Sequence, residues 1–218
     1  MPTTALRLLT ALVFFGYYAH RFYYVGKVRH AAGSVVRQPR EPVGPVLLLF
    51  LSAVVIAVYA IAPRPLGWAS LPLPEALRWT GLALAVAAFA LLQWAQSALG
   101  RSWSLRVQLL QEHELVVRGP YGRVRHPMYA AGLLASVSVL LLSANGLAGG
   151  CWLVTCVWQF ALRIPLEESL MTEQFGDAYR EYTRTTGRFI PRILHRSQVR
   201  RGRHGVVIRA RTSGPGDG

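Results

Sequence analysis

Acidic residues are scarce in this 218-residue chain: ten Asp and Glu stand against 24 Lys and Arg, and charged residues make up only 16% of the whole. So little charge beside 52% hydrophobic residues argues against a soluble globule and fits a membrane protein. Cysteine is nearly missing. Cys151 and Cys156 share one apolar run, on roughly opposite faces of a helix, which excludes a disulfide framework and a cysteine metal site. No second histidine or cysteine stands at metal spacing from His113, so no metal is expected. Walker, G-x-G-x-x-G and G-x-S-x-G motifs are absent. Helix-turn-helix, zinc-finger and basic–aromatic RNA-binding signatures are absent too. The net charge of +14 therefore points to anionic lipid headgroups as partners and not to nucleic acid. No clear A-x-A cleavage site follows the first apolar stretch, which reads as a retained helix. There is no internal repeat, and nothing in the chain speaks to oligomeric state.

What is abundant is apolar sequence in long runs. Five segments read as membrane helices, at roughly 5–25, 44–62, 77–99, 128–143 and 147–163. The last two, about 16 residues or about 24 Å each, are short for a bilayer core of about 30 Å and are separated only by Asn145-Gly146 and neighbours, which predicts a tight hairpin. The fold class expected is all-α and polytopic, with a cytoplasmic pocket. Basic residues alternate between connections. Arg21, Lys27, Arg29, Arg37 and Arg40 follow the first helix, Arg64 alone follows the second, and Arg101, Arg106, Arg118, Arg123 and Arg125 follow the third. The hairpin turn has no charge, and eleven arginines lie from Arg163 onward. This pattern puts the N-terminus outside and the C-terminus in the cytoplasm. Three regions result: helices one to three over 1–99, a catalytic region over 100–194, and a basic tail over 195–218 that reads as disordered.

Polar residues gather in two cytoplasmic segments, 100–129 and 163–191, which a hairpin would bring to one mouth. Pro127 suits the first turn of the fourth helix, and Arg125 and His126 sit beside its N-terminus, where the dipole and free N–H groups favour an anion. The same pair suits a basic interfacial anchor. Glu167 and Glu168 follow Arg163 by about one turn. Two carboxylates beside a bilayer are costly unless paired or bound to a cation, yet they also suit a solvated amphipathic face. Pro165 argues for a distortion there. His113 precedes "ELVV", an extended run, and Gly119-Pro120 and Tyr121-Gly122 look like turns.

The stretch "HELVVRGPYGRVRHPMYAAG", followed about 35 residues later by "EESLMTEQFGDAYREY", resembles the isoprenylcysteine carboxyl methyltransferase family and its phospholipid N-methyltransferase relatives. The fixed positions of H-x-L-V-x-x-G-x-Y-x-x-x-R-H-P-x-Y are all filled, and "LGRSWS" upstream fits as well. The resemblance covers roughly 98–191. It implies a membrane enzyme that moves the methyl group of S-adenosylmethionine to a lipophilic acceptor, carboxylate or amine. It also implies that His113, Leu115, Val116, Tyr121, His126, Pro127, Met128, Tyr129 and Glu168 line the cofactor, with Gln108 a weaker candidate. Arg163 would address the acceptor, Arg125 would support the pocket, and Glu167 would take a proton if the acceptor is an amine. Ile164-Pro165-Leu166 departs from the charged stretch of the eukaryotic prenylcysteine enzymes, whose additional helices are also missing. The Arg- and Ala-heavy chain suggests a bacterial inner-membrane protein. Reductases of related topology that use NADPH also carry R-H-P-x-Y, but with Asn where this chain has Met128. A non-catalytic scaffold is the third reading.

Overall fold

The computed structural model describes residues 4–29, 35–37, 42–100, 109–110, 114–192 and 207–209. Among the described residues six α-helices carry the fold: α1 (Thr4–Arg29), α2 (Gly44–Ile61), α3 (Glu75–Leu99), α4 (Pro127–Ser143), α5 (Gly146–Phe175) and α6 (Asp177–Thr185). Four short strands, β1 (Val35–Arg37), β2 (Leu109–Leu110), β3 (Glu114–Val116) and β4 (Val207–Arg209), form two antiparallel ladders, β1 with β2 and β3 with β4. The 195–218 tail is described only at β4, the remainder lying outside the described residues. Among the described residues α2, α3 and α5 are long and apolar enough to cross a membrane, and α4 is a shorter apolar helix. Large apolar side chains stand exposed along α2, α3 and α5, among them Leu47, Phe50, Val54, Val86, Val154 and Val157, and on α1 at Leu12. A belt of that kind would aggregate in water and is what lipid tails cover.

The core lies around α4, which packs against α3, α5 and α1 together. Its buried residues Tyr129, Ala131, Gly132, Ser136, Ser138 and Leu142 spread over about half of its circumference, as a helix flanked by several neighbours requires. Small residues let the backbones approach, since helices in lipid associate by close packing more than by hydrophobic exclusion. Across α3 and α4, Ala85, Ala88 and Gly81 face the α4 surface, and the Ser138 hydroxyl donates to the Gly81 carbonyl at 2.6 Å. Between α1 and α5, Trp152 packs edge-on to Phe14, with ring centroids 4.9 Å apart, and donates to the Tyr18 hydroxyl.

The α4–α5 hairpin turn expected at Asn145-Gly146 is present. Ala144 adopts the left-handed conformation at φ 45°, and the Asn145 side chain accepts from the Leu147 and Ala148 amides to cap α5. The α2–α3 connection holds this turn from outside: Asn145 donates to the Leu66 carbonyl at 2.8 Å and Tyr59 to the Ser143 carbonyl at 2.7 Å.

The fifth helix differs from the expectation of a short segment ending at 163. It has 30 residues and continues to Phe175 with Pro165 inside it. Proline there removes one rung, because it has no N–H for the Ala161 carbonyl. The turns beyond it are secured by packing: Leu170 is buried on α5, and Phe175 is buried against Leu115 and Tyr179. Arg163 and Glu167 are therefore true i,i+4 neighbours; of the five spans expected, three are long and apolar enough to cross among the described residues, α4 is shorter, and α1 does not reach the same apolar character.

Candidate functional site

β3 places its residues by strand alternation. Leu115 packs with Phe175 and Tyr179 at the α5–α6 corner, whereas Val116 joins Ala95, Tyr121 and Met128 against α3. The extended run and turn expected from the sequence are both formed, Gly119 taking φ 61° at the start of a single 3-10 turn, Gly119–Gly122. A Cβ on Gly119 would meet the Trp94 indole at 3.3 Å, so the loop lies close on α3. His113 and Gln108 lie outside the described residues.

His126 is the residue before α4, and Pro127 opens the helix as expected. The backbone N–H groups of Arg125 and His126 donate to the carbonyls of Gly187 and Arg188, at 2.8 and 3.0 Å. The segment after α6 is thereby stitched beside the start of α4, with Val124 and Gly187 bridged in parallel. The sequence leads one to expect an external anion at this helix N-terminus. The structure pairs Glu168 with the Arg125 and His126 side chains beside it.

Glu168 is the hub. Its carboxylate, 16% exposed, pairs with Arg125 at 3.0 Å, with His126 Nε2 at 3.2 Å and with Arg188 at 2.6 Å. Arg125 is 8% exposed and also donates to the Thr183 and Thr186 carbonyls, clamping the end of α6. Tyr182 donates to the Tyr121 carbonyl at 2.6 Å from the same helix. Burial pushes the Tyr121 phenol well above its ordinary range, and the Glu167 charge adds to the effect, so this phenol stays neutral. Burial moves Tyr179 and Tyr182 the same way. Hydrogen bonds to Glu168 raise Arg188, which is a permanent cation.

Glu167 points to the other side. Tyr129 donates a hydrogen bond to it, and His126 Nδ1 lies 3.8 Å from its second oxygen. Arg163, buried on α5, and Arg21, buried on α1, both exert their positive fields on Glu167 and Tyr129. His126 and Tyr129 stack at 5.5 Å, and Tyr129 packs on Phe160 at 4.5 Å. Phe160 is also a wall of an apolar groove of about 280 Å³, lined by Leu133, Val157, Ile164 and Pro165. Arg188 and Phe189 close one end of it, next to Glu168.

The fold brings the described candidates Arg125, His126, Tyr129, Glu167 and Glu168 together, with Arg163 one turn before Glu167 on α5, and packs Leu115, Val116, Tyr121 and Met128 around the β3 loop. Arg188 and Arg21 were missed by sequence reasoning. Arg188 was one of the eleven arginines from Arg163 onward that set the orientation, and only "TTGRF", a turn immediately after an amphipathic helix, marks it apart. Among the described residues no cluster of His, Cys, Asp and Glu could hold a metal ion.

Residues 81–173 match the model of the isoprenylcysteine carboxyl methyltransferase (ICMT) family. Two relatives from Arabidopsis thaliana, protein-S-isoprenylcysteine O-methyltransferases A and B, are 34% identical over 95 residues and 32% over 114. Over this stretch the chain is similar to the ICMT family. Those alignments cover 42% and 51% of this chain and 48% and 57% of the plant proteins, so the chain spans about half the length of the curated relatives it matches. An uncharacterised Bacillus subtilis protein, YpbQ, is 27% identical over 96 residues, 44% of this chain and 51% of that one. A solved structure, the eukaryotic intramembrane Ras methyltransferase ICMT, superposes with a TM-score of 0.52 over 70% of this chain and 54% of its own, at 23% identity. That likeness shows a shared polytopic membrane fold. The ICMT-family match takes in α4 and most of α5, including both glutamates, whereas α1, α2 and Arg188 lie beyond it.

Proposed function

We propose that the chain is an integral membrane methyltransferase that takes the methyl group of S-adenosylmethionine to a lipophilic acceptor, at the cytoplasmic face of a bacterial inner membrane. The observation that carries this reading is the carboxylate–arginine hub at the mouth of the α4–α5 hairpin, directly beside an apolar groove. The residues fit the methyl donor in their chemistry. Arg188 is 55% exposed and can offer its guanidinium to a carboxylate, Glu168 can accept from an amine, and the Leu115, Val116 and Tyr121 side of the loop is apolar. His126, Pro127, Met128 and Tyr129 face the same mouth from α4, and His113 would complete the β3 side. When bound there, S-adenosylmethionine would supply a methyl group already activated on a sulfonium.

The chain's own residues then have three tasks. Glu168 holds Arg125, His126 and Arg188 around one carboxylate and so positions the pocket wall. Arg163 orients the acceptor from the next turn of α5, which matters because displacement needs the reacting atoms aligned within about 3–3.5 Å. Glu167, hydrogen-bonded to Tyr129, takes a proton only if the acceptor is an amine; a carboxylate acceptor needs no base. The groove receives the acceptor's apolar chain laterally, from between α4 and α5. The relatives' names point to an isoprenylated cysteine, and a groove of this character accepts such a chain or another of similar length.

Membranes containing the chain, incubated with tritiated-methyl S-adenosylmethionine, should move label into organic-extractable material. Arg163→Ala should lower that rate about a hundredfold, as loss of an orienting charge does, with little change in affinity for the methyl-donor product. Label transfer equal to that of membranes without the chain would overturn the proposal.

A further inference from the structure

The segment after α6 bends sharply at the mouth of the hairpin. A Cβ on Gly187 would sit 1.9 Å from the Ile190 carbonyl oxygen, so the chain doubles back closely there. The Gly187 and Arg188 carbonyls accept from the start of α4, which fixes the bend in place. Its outer side is apolar. Ile190 is 80% exposed, Pro191 is exposed beside it, and Phe189 is 37% exposed with its ring 6.3 Å from that of His126. A large aliphatic side chain held out so far on a fixed bend marks a surface that something apolar covers.

What covers it follows from its place. On α5 the exposed residues Val154, Val157, Trp158, Ala161 and Pro165 form one stripe at helical spacing, which gives way to the polar Ser169. Pro165, Arg188 and Phe189 line the same groove, so the bend stands at the polar edge of the lipid-facing belt. The charge around it has one sign. Arg192 donates to the Arg184 carbonyl at 2.6 Å, which sets two exposed arginines beside the apolar tip. Asp177 and Glu181 answer Arg180 and Arg184 along α6, whereas Arg192 meets no carboxylate among the described residues. From Tyr182 to Gly216 the sequence holds nine arginines and no acidic residue.

We infer that residues 187–192 are a membrane-interface anchor that seats on anionic phospholipid in the leaflet at the hairpin mouth. Ile190 and Phe189 lie at the acyl boundary, and Arg192 meets the lipid phosphates. Apolar side chains flanked by arginine suit that layer, because one end is taken from water while the other stays among charged head groups. An anionic leaflet adds an attraction that a zwitterionic one lacks. Arg188 and Phe189 close the groove and Arg188 holds Glu168, so the seated bend also keeps the end wall of the groove in position. That last consequence rests on the methyl-transfer reading; the anchor itself does not.

The test places a bimane label on Ile190→Cys in the full chain, attached in detergent before reconstitution into phosphatidylcholine vesicles. Wild type labelled in parallel sets the background from Cys151 and Cys156, and Glu181→Cys on the outer side of α6 is the water-facing comparison. Both sites are exposed, so neither substitution disturbs packing. A lipid with a nitroxide near the top of its acyl chain should quench the label at Ile190→Cys about threefold more than at Glu181→Cys. Replacing about a third of the lipid with phosphatidylglycerol should raise that quenching about twofold, and Arg192→Gln should remove the gain. Equal quenching at the two positions overturns the anchor. Quenching that ignores phosphatidylglycerol, or a gain that survives Arg192→Gln, overturns the anionic partner. In the phosphatidylglycerol vesicles Ile190→Asp should slow tritium transfer about tenfold and leave S-adenosylhomocysteine affinity unchanged. An unchanged rate overturns the link to the groove, and no transfer by wild type, with quenching as expected, would count against the methyltransferase reading alone.

Discussion

Glu168→Ala should destabilise the chain by about 3 kcal/mol and abolish methyl transfer, the cost expected when one partner of a largely buried ion pair is removed. Arg125 is the reason. It is 8% exposed, and without Glu168 its charge keeps only the Thr183 and Thr186 carbonyls. His126 loses its closer carboxylate, and Arg188 loses the contact that holds the 187–188 segment at the mouth of the groove. Glu168→Gln keeps the shape and removes the charge, so it should unfold later than the alanine variant but be equally inactive. Unfolding in mixed detergent, followed by tryptophan fluorescence, checks the stability and tritium transfer checks the activity. The exposed Asp177–Arg180 pair supplies the control. Asp177→Ala should change neither measurement, because a solvated pair on a helix surface contributes little.

Gly149→Val should fail to give a folded protein. A Cβ on Gly149 would run into the backbone Cα of Leu140 on the facing helix, where no rotamer change offers relief. Overpacking against a flexible side chain costs about 1–3 kcal/mol, and against backbone the hairpin itself must splay, so about 3 kcal/mol is a lower bound. Splaying α4 from α5 separates Tyr129 from Glu167 and Arg125 from Glu168, so the site fails with the fold. The adjacent Gly150 provides a matched comparison, since a Cβ there meets nothing within 4 Å. Gly150→Val should elute as wild type on size exclusion, whereas Gly149→Val should elute in the void or not be recovered.

The helices and the mouth of the hairpin were legible in the sequence for a physical reason. Apolar runs long enough for a bilayer, and arginines that cannot remain inside one, leave few alternatives for where the chain turns. Pro127 marked the start of α4, and Asn145 marked its hairpin turn. The end of α5 was not legible, because Pro165 reads as a breaker locally, and only the packing of Leu170 and Phe175 carries the helix past it. Glu167 and Glu168 were recognised, but their division of labour was not: the two adjacent residues project about 100° apart on a helix, and it takes the folded α4 to give one to Arg125 and the other to Tyr129. Gln96 and Arg21 escaped notice for the opposite reason. Each sits among other polar residues near the end of an apolar run, Arg21 beside His20 and Gln96 between Gln93 and Ser97, and only the fold shows that it is buried.

The central claim is that the hub beside the hairpin is a methyl-donor pocket. Calorimetric titration of the purified, detergent-solubilised chain with S-adenosylhomocysteine, with NADPH titrated in parallel, tests it most directly. Saturable micromolar binding of S-adenosylhomocysteine and none of NADPH is the result this account predicts. Saturable NADPH binding with no response to S-adenosylhomocysteine would contradict it and make the chain a reductase built on the same fold.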